Sequence, residues 1–131
     1  MPLFTPSTFY YLSAATMALT IPKHIATGFS VIYPALAQIP STSRENEIAK
    51  GVAGPTWDYA VVATVVLAAL NAKWARLGGP RTLEEKLILW SSVLGSAVLG
   101  WQYWKVGMAV ALPVLWGAPA LSVVATLWSG C

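Results

Sequence analysis

The chain has 131 residues, of which 56% are hydrophobic and only 10% charged, with a formal net charge of +3. A soluble domain carries about 25% charged residues, so this chain has too little charge to cover a soluble surface. It also contains seven tryptophans, a residue that concentrates where a membrane meets water. The basic residues lie between hydrophobic runs, which excludes a nucleic-acid partner because no basic face is formed. The composition predicts one integral membrane domain with the lipid bilayer as its surroundings.

The hydrophobic pattern predicts an all-α fold, an integral membrane four-helix bundle forming one domain over residues 1–131. The predicted spans cover residues 9–39 (kinked), 57–76, 84–104 and 108–128. Residues 43–50 are polar and predict a short interfacial helix between the first and second spans. Gly51, Gly54 and Pro55 predict a loop after that helix, with Thr56 capping the next one.

The first predicted span raises a question of membrane depth. As one helix, residues 9–39 would be about 46 Å long, whereas the hydrocarbon core is about 30 Å thick. Pro22 and Pro34 each remove a helical hydrogen bond, so kinks are expected at both. Lys23 and His24 interrupt the apolar run. Either they lie inside the membrane, or the span covers residues 3–22 and both side chains snorkel to the headgroups.

Local signals predict the remaining helix boundaries and contacts. Thr42 with Glu45, and Thr82 with Glu85, match capping boxes, and Gly78 is expected to end the second span. Small residues at four-residue spacing line one face of the second span and one of the third, and we expect these faces to meet. They are Ala60, Thr64, Ala68 and Ala72, and Ser92, Ser96 and Gly100. Pro113 and Pro119 predict kinks or an opened backbone in the fourth span.

His24 and Asp58 are the predicted catalytic residues. Imidazole titrates near neutral pH and can act as a general acid or base. Asp58 would orient the imidazole or bind a substrate hydroxyl. The alternative interpretation keeps His24 as an interfacial anchor and Asp58 as a helix-start residue stabilised by the helix dipole. The sequence leaves both interpretations open.

Four further residues are predicted to bind substrate: Lys23, Tyr33, Tyr103 and Trp116. Trp116 lies between two prolines near the middle of the fourth span, where an interfacial belt does not require tryptophan. No metal site and no cofactor are predicted. The chain has one histidine and one cysteine, Cys131, and no carboxylate stands at ligand spacing.

In size, span number and hydrophobic texture, the chain resembles the small multi-pass membrane proteins encoded in fungal secondary-metabolite clusters. Some of these resemble membrane cyclases, isomerases or anthrone-oxygenase-like enzymes. The resemblance implies an endoplasmic-reticulum membrane protein of biosynthesis that acts on a lipophilic small molecule. We therefore expect a cofactor-independent enzyme with cyclase or isomerase-like acid–base chemistry. The alternative is a non-catalytic subunit or scaffold that docks a membrane protein partner, or a second copy as a homo-oligomer, through its small-residue faces.

Overall fold

The computed structural model describes residues 4–130, of which 87% are helical and none is in a strand. The prediction of an all-α fold is confirmed. The elements, in chain order, are α1 (Pro6–Thr27), a first π turn (Gly28–Ile32), α2 (Tyr33–Ala37), α3 (Arg44–Leu77), α4 (Leu83–Lys105), a 3₁₀ turn (Ala109–Ala111), a second π turn (Pro113–Gly117) and α5 (Ala118–Ser129). The elements from α1 to α2 form one continuous helical segment, as do those from the 3₁₀ turn to α5.

The predicted interfacial helix over residues 43–50 and the loop after it are wrong. Residues 44–77 form one uninterrupted helix, with Pro55 inside it. Proline in a helix interior costs one hydrogen bond and a steric clash, which tertiary packing can outweigh. Here Gly54 packs against Tyr33 and Leu36. A Cβ added at Gly54 would lie 4.0 Å from the Tyr33 ring and 4.0 Å from a Leu36 methyl group. The helix cap is also displaced, because Ser43 rather than Thr42 accepts the N–H of Asn46.

The connection between α3 and α4 follows its local signals. Gly78 ends α3 with φ +81°, a left-handed conformation that glycine adopts without steric cost. Thr82 and Glu85 form the predicted capping box at the start of α4. The Glu85 carboxylate also accepts Lys73 Nζ at 2.6 Å and the Arg81 N–H at 2.7 Å. One carboxylate therefore holds both helices and their turn.

Both π turns precede a proline by the same spacing. Gly28–Ile32 comes just before Pro34, and Pro113–Gly117 just before Pro119. In a π turn the N–H bonds the carbonyl five residues back, and this pattern is seen for Tyr33 to Gly28 and for Ala118 to Pro113. The extra residue gives the backbone room where the proline ring would otherwise crowd the preceding turn. The irregular backbone expected at Pro34 and Pro119 thus takes the form of π turns.

Helix α1 lies at the centre, packed along α3 on one side and α5 on the other, while α4 contacts α5 and the second π turn. The two small-residue faces do not meet along their length as predicted. Helix α3 packs chiefly against α1, and the indole of Trp116 packs against Gly100 of α4. A groove separates the N-terminal half of α3 from Leu99 and Tyr103 near the end of α4.

The interior is partly polar, and the outer surface is largely apolar. Ser122 Oγ donates to Asn71 Oδ1 at 2.7 Å and lies 2.9 Å from Ser13 Oγ, which links α1, α3 and α5. Beside this network, the hydroxyl groups of Tyr10 and Thr126 form a hydrogen bond of 2.8 Å. Many large apolar side chains instead face outwards, among them Leu19, Val62, Leu94 and Leu127. Within the described chain, two helices are long and apolar enough to cross a membrane, Arg44–Leu77 and Ala109–Ser129.

Candidate functional site

His24 lies against α3, where its ring stacks on the indole of Trp57. The ring centroids are 3.9 Å apart and the planes differ by 11°. His24 Nε2 lies 3.0 Å from the Trp57 carbonyl oxygen. A carbonyl oxygen only accepts hydrogen bonds, so Nε2 must carry the proton of this contact. In the neutral ring, Nδ1 is then the unprotonated nitrogen that can accept a proton.

Gly28, one turn after His24, allows this close approach of the two helices. A Cβ at Gly28 would lie 2.8 Å from Trp57 Nε1 and 3.2 Å from Trp57 Cδ1, closer than side chains tolerate. The indole is therefore seated directly on the backbone of the first helical segment. Its N–H is buried and has no acceptor among residues 4–130. Gly28 and Trp57 together fix the plane against which the imidazole stacks.

Tyr33 and Asp58 form a second contact beside the first. The Tyr33 hydroxyl donates to Asp58 Oδ1. The π turn makes this contact possible, because its additional residue brings Tyr33 to the face of the helix that carries Gly28. The sequence hypothesis paired His24 with Asp58, but the structure gives each a different partner. The two contacts remain neighbours, since Trp57 and Asp58 are consecutive residues.

His24 and Trp57 form part of the wall of a groove of about 620 Å³. Tyr103 of α4 lies on the opposite wall, so the structure brings this predicted substrate-binding residue to His24. The rest of the lining is chiefly apolar and includes Val52, Ala53, Ala60 and Leu99. Ligand sites are typically apolar clefts with few polar groups, and this groove has that character.

The other predicted substrate-binding residues lie elsewhere. Lys23 faces away from α3 and lines a separate groove beside Val110 and Pro113. Trp116 packs on Gly100, donates its indole N–H to the Ala97 carbonyl at 3.4 Å, and lies 6.4 Å from the Trp104 ring. Trp116 is therefore not among the residues that line the groove of His24 and Tyr103. Trp116 joins α4 to the second π turn instead.

The sequence analysis did not predict the contact between Trp57 and His24. A signal for it was present, because Gly28 stands four residues after His24 on one helical face, where a partner side chain can approach closely. The buried network of Ser13, Asn71 and Ser122 was also missed.

The part of the chain that the structure describes holds no group of three histidine, cysteine or acidic side chains able to bind a metal ion. Cys131 lies outside the described residues, as does the start of the alternative span over residues 3–22. Comparison of the chain with protein-family models, with curated proteins and with solved structures found no match. Function must therefore be argued from the geometry of the site alone.

Proposed function

We propose that this chain crosses a membrane four times, with α1, α3, α4 and the segment ending in α5 as its spans. Two helices are long and apolar enough to cross a membrane. In all four helices, polar side chains are buried and large apolar side chains are exposed, which supports the same placement for the other two. Small and hydroxyl-bearing residues inside, with apolar ones outside, are typical of helix packing in lipid.

In this placement, His24 and Lys23 lie at the membrane surface, at the level of Trp57. The hairpin formed by residues 28–56 then extends beyond that surface. Its tip is closed by Lys50, whose ammonium donates to the Ile39 carbonyl at 3.1 Å and the Ser41 hydroxyl at 3.2 Å. The groove then lies across this surface, with Ile48, Val52 and Ala53 on the hairpin side and Ala60 and Leu99 on the membrane side. Its apolar lining suits a lipophilic molecule that reaches it from the bilayer.

For this groove we propose an enzymatic function, the acid–base isomerisation or cyclisation of a lipophilic biosynthetic intermediate. The observation that carries the proposal is the hydrogen bond from His24 Nε2 to the Trp57 carbonyl. It orients the imidazole and leaves Nδ1 as the base, while the stacked indole limits rotation of the ring. A base held in this way typically accelerates a reaction by about 10² to 10⁴-fold.

The chemistry requires no cofactor. Nδ1 takes a proton from an acidic position of the bound molecule, which becomes an anion, and the resulting imidazolium returns the proton at another atom. The reaction is neutral in electrons, and the enzyme regains its starting protonation state. Tyr103, across the groove, offers a hydroxyl to the substrate oxygen that carries the charge. The Tyr33 to Asp58 contact holds the hairpin beside the groove.

The test is complementation of a deletion in the native host, read by metabolite profiling. Deletion should make a lipophilic precursor accumulate, and His24→Gln should fail to clear it although the protein reaches normal levels. Ile25→Ala is the matched control, because Ile25 is the next residue and faces outwards. We expect it to restore the product. Restoration of the product by His24→Gln would rule out the acid–base role.

A second function, that of a membrane scaffold, is supported by the outer face of α4. Ser91 and Gly95 are exposed there at four-residue spacing, and a Cβ at Gly95 would meet no other atom within 4 Å. Such a face allows a partner helix to approach closely. Gly95→Leu should dissociate a partner that copurifies in mild detergent. A complex that survives this substitution, or a protein that copurifies with no partner, would contradict the scaffold function.

A further inference from the structure

Lys23 lies in a groove of its own, on a different face of α1 from His24. This groove has a volume of about 290 Å³ and is lined by Thr16, Leu19, Thr20, Lys23, Val110 and Pro113. It runs between α1 and the segment that starts with the 3₁₀ turn. His24 contacts α3, whereas Lys23 lies beside Val110. These two adjacent residues therefore line different grooves.

Among the described residues that line this groove, Lys23 carries the one group that is available to an anion, its ammonium. Thr16 donates its hydroxyl to the Leu12 carbonyl at 2.8 Å, and Thr20 donates to backbone carbonyls of the preceding turn. No carboxylate lines the groove, and the ion pair found among the described residues joins Lys73 to Glu85. The positive charge of Lys23 therefore has no carboxylate partner in this groove, whose other walls are chiefly apolar.

The groove has a polar end and an apolar end in the order that a lipid requires. Lys23 lies next to the 3₁₀ turn that follows the short connection after α4. In the proposed membrane placement, this connection lies at the membrane surface. Thr16 lies two turns earlier in α1, about 10 Å deeper. Leu19, between them, is 79% exposed and Val110 is 57% exposed. The charge thus stands at the surface, with an apolar wall beneath it.

From this arrangement we propose that the Lys23 groove binds an anionic phospholipid. The phosphate pairs with the Lys23 ammonium, and one acyl chain lies along Leu19, Val110 and Pro113. Lysine near a membrane surface attracts anionic headgroups in general, and the apolar channel adds a fixed position for the chain. This inference rests on the proposed membrane placement but not on the proposed enzymatic reaction.

The test uses the full chain purified in a neutral detergent, with binding of dioleoyl phosphatidylglycerol measured by native mass spectrometry. Dioleoyl phosphatidylcholine and inorganic phosphate are the comparison ligands. We expect phosphatidylglycerol to bind in preference to phosphatidylcholine and inorganic phosphate not to compete, since it lacks the chain. Lys23→Gln should weaken phosphatidylglycerol binding about fivefold, the effect of one interfacial charge. Lys23→Arg should retain it.

Lys105→Gln is the matched control, because Lys105 ends α4 and lies outside the groove. It should bind phosphatidylglycerol as the wild type does. Val110→Trp keeps Lys23 but fills the channel, and it should also weaken binding, which separates lipid recognition from a folding defect in Lys23→Gln. Equal loss in Lys23→Gln and Lys105→Gln would overturn the site, as would equal binding of both lipids or competition by inorganic phosphate. A separate experiment tests the membrane placement itself, in which membranes holding the protein are washed at high pH. Release of the protein by this wash would refute the placement.

Discussion

At the residue scale, the site depends on how closely Trp57 approaches the first helical segment. The sequence suggested His24 as a candidate because an ionisable group is costly inside a long apolar segment, and it suggested Asp58 as its partner. It could not identify their partners, since stacking and hydrogen bonds depend on the register between helices far apart in sequence. His24 and Trp57 are separated by 33 positions, and a shift of α1 by one turn along α3 would pair His24 differently.

Gly28→Ala should displace the Trp57 indole and release His24. A methyl group 2.8 Å from Trp57 Nε1 forces a backbone or side-chain shift, and overpacking of this kind costs about 1 to 3 kcal/mol. The loss should appear as a lower unfolding midpoint in detergent and as failure of complementation. Gly51→Ala is the matched control, because a Cβ there has no neighbour within 4 Å. Alanine should stabilise that helix by about 0.5 to 1 kcal/mol. Equal stability of the two variants would contradict the close contact.

Ser122→Ala should destabilise the bundle by removing the donor to Asn71. Asn71 is 2% exposed, and a buried acceptor left without its donor costs about 1 to 3 kcal/mol. The measurement is again the free energy of unfolding in detergent. Ser91→Ala removes a hydroxyl that bonds only within its own helix on the outer face, and we expect it to change stability little. A Ser122→Ala variant as stable as Ser91→Ala would show that the network contributes nothing.

Among the helices, the ends that could be predicted from the sequence are those set by a single local signal, such as a capping box or a C-terminal glycine. Thr82, Glu85 and Gly78 act within a few residues, so the turn between α3 and α4 was predicted correctly. The start of α3 was not, because Gly51, Gly54 and Pro55 are locally unfavourable to helix while packing of Gly54 on Tyr33 and Leu36 favours it. The π turns also escaped a specific prediction, since proline indicates a perturbed helix without stating its form.

Glu85 should make the turn between α3 and α4 sensitive to acid. Glu85 lies in the first turn of α4, next to the connection between α3 and α4 that the proposed membrane placement puts outside the bilayer. Lys73, followed by the Arg81 N–H, lowers the pKa of this carboxyl from its ordinary 4.5 to about 2. Because the folded pKa is lower, the carboxylate's contribution is complete above 4.5 and is lost as pH falls towards 2.

Unfolding midpoints measured across this range should therefore fall for the wild type, and Glu85→Gln should remove part of that fall while lowering stability at neutral pH. Glu47→Gln is the control, since Glu47 is exposed in the first turn of α3 and does not contact Lys73. A Glu85→Gln protein with the same acid profile as the wild type would contradict the role of this carboxylate.

Gly100→Ala should separate α4 from the second π turn. A Cβ at Gly100 would lie 2.0 Å from Trp116 Nε1, so the indole must leave its place. We expect a lower unfolding midpoint and increased accessibility of Trp116 to an aqueous fluorescence quencher. Gly95→Ala changes the same helix at a position with open space and should be neutral or stabilising. Unchanged quenching in Gly100→Ala would refute the contact.

At the scale of the whole molecule, the bundle has two ends with different composition. At one end, Ser7 donates to the Ala75 carbonyl at 2.7 Å and the rings of Phe9 and Trp128 lie 5.8 Å apart. At the other lie His24, Trp57 and Tyr103. The hydrophobic pattern predicted an all-α fold, and the described residues confirm it. The number of spans remains a proposal, on which both the His24 groove and the Lys23 lipid site depend.

The most direct test is cysteine accessibility in sealed membranes, using single cysteines introduced into a Cys131→Ser background. We predict that cysteines at Ser41 and Val106 react with a membrane-impermeant maleimide from one side, and cysteines at Thr82 and Ser129 only from the other. Cysteines at Leu67 and Leu94 should stay unreactive from both sides, because the bilayer covers them. Reaction of all four surface positions from the same side, or of Leu67 and Leu94 without detergent, would contradict the four-span account.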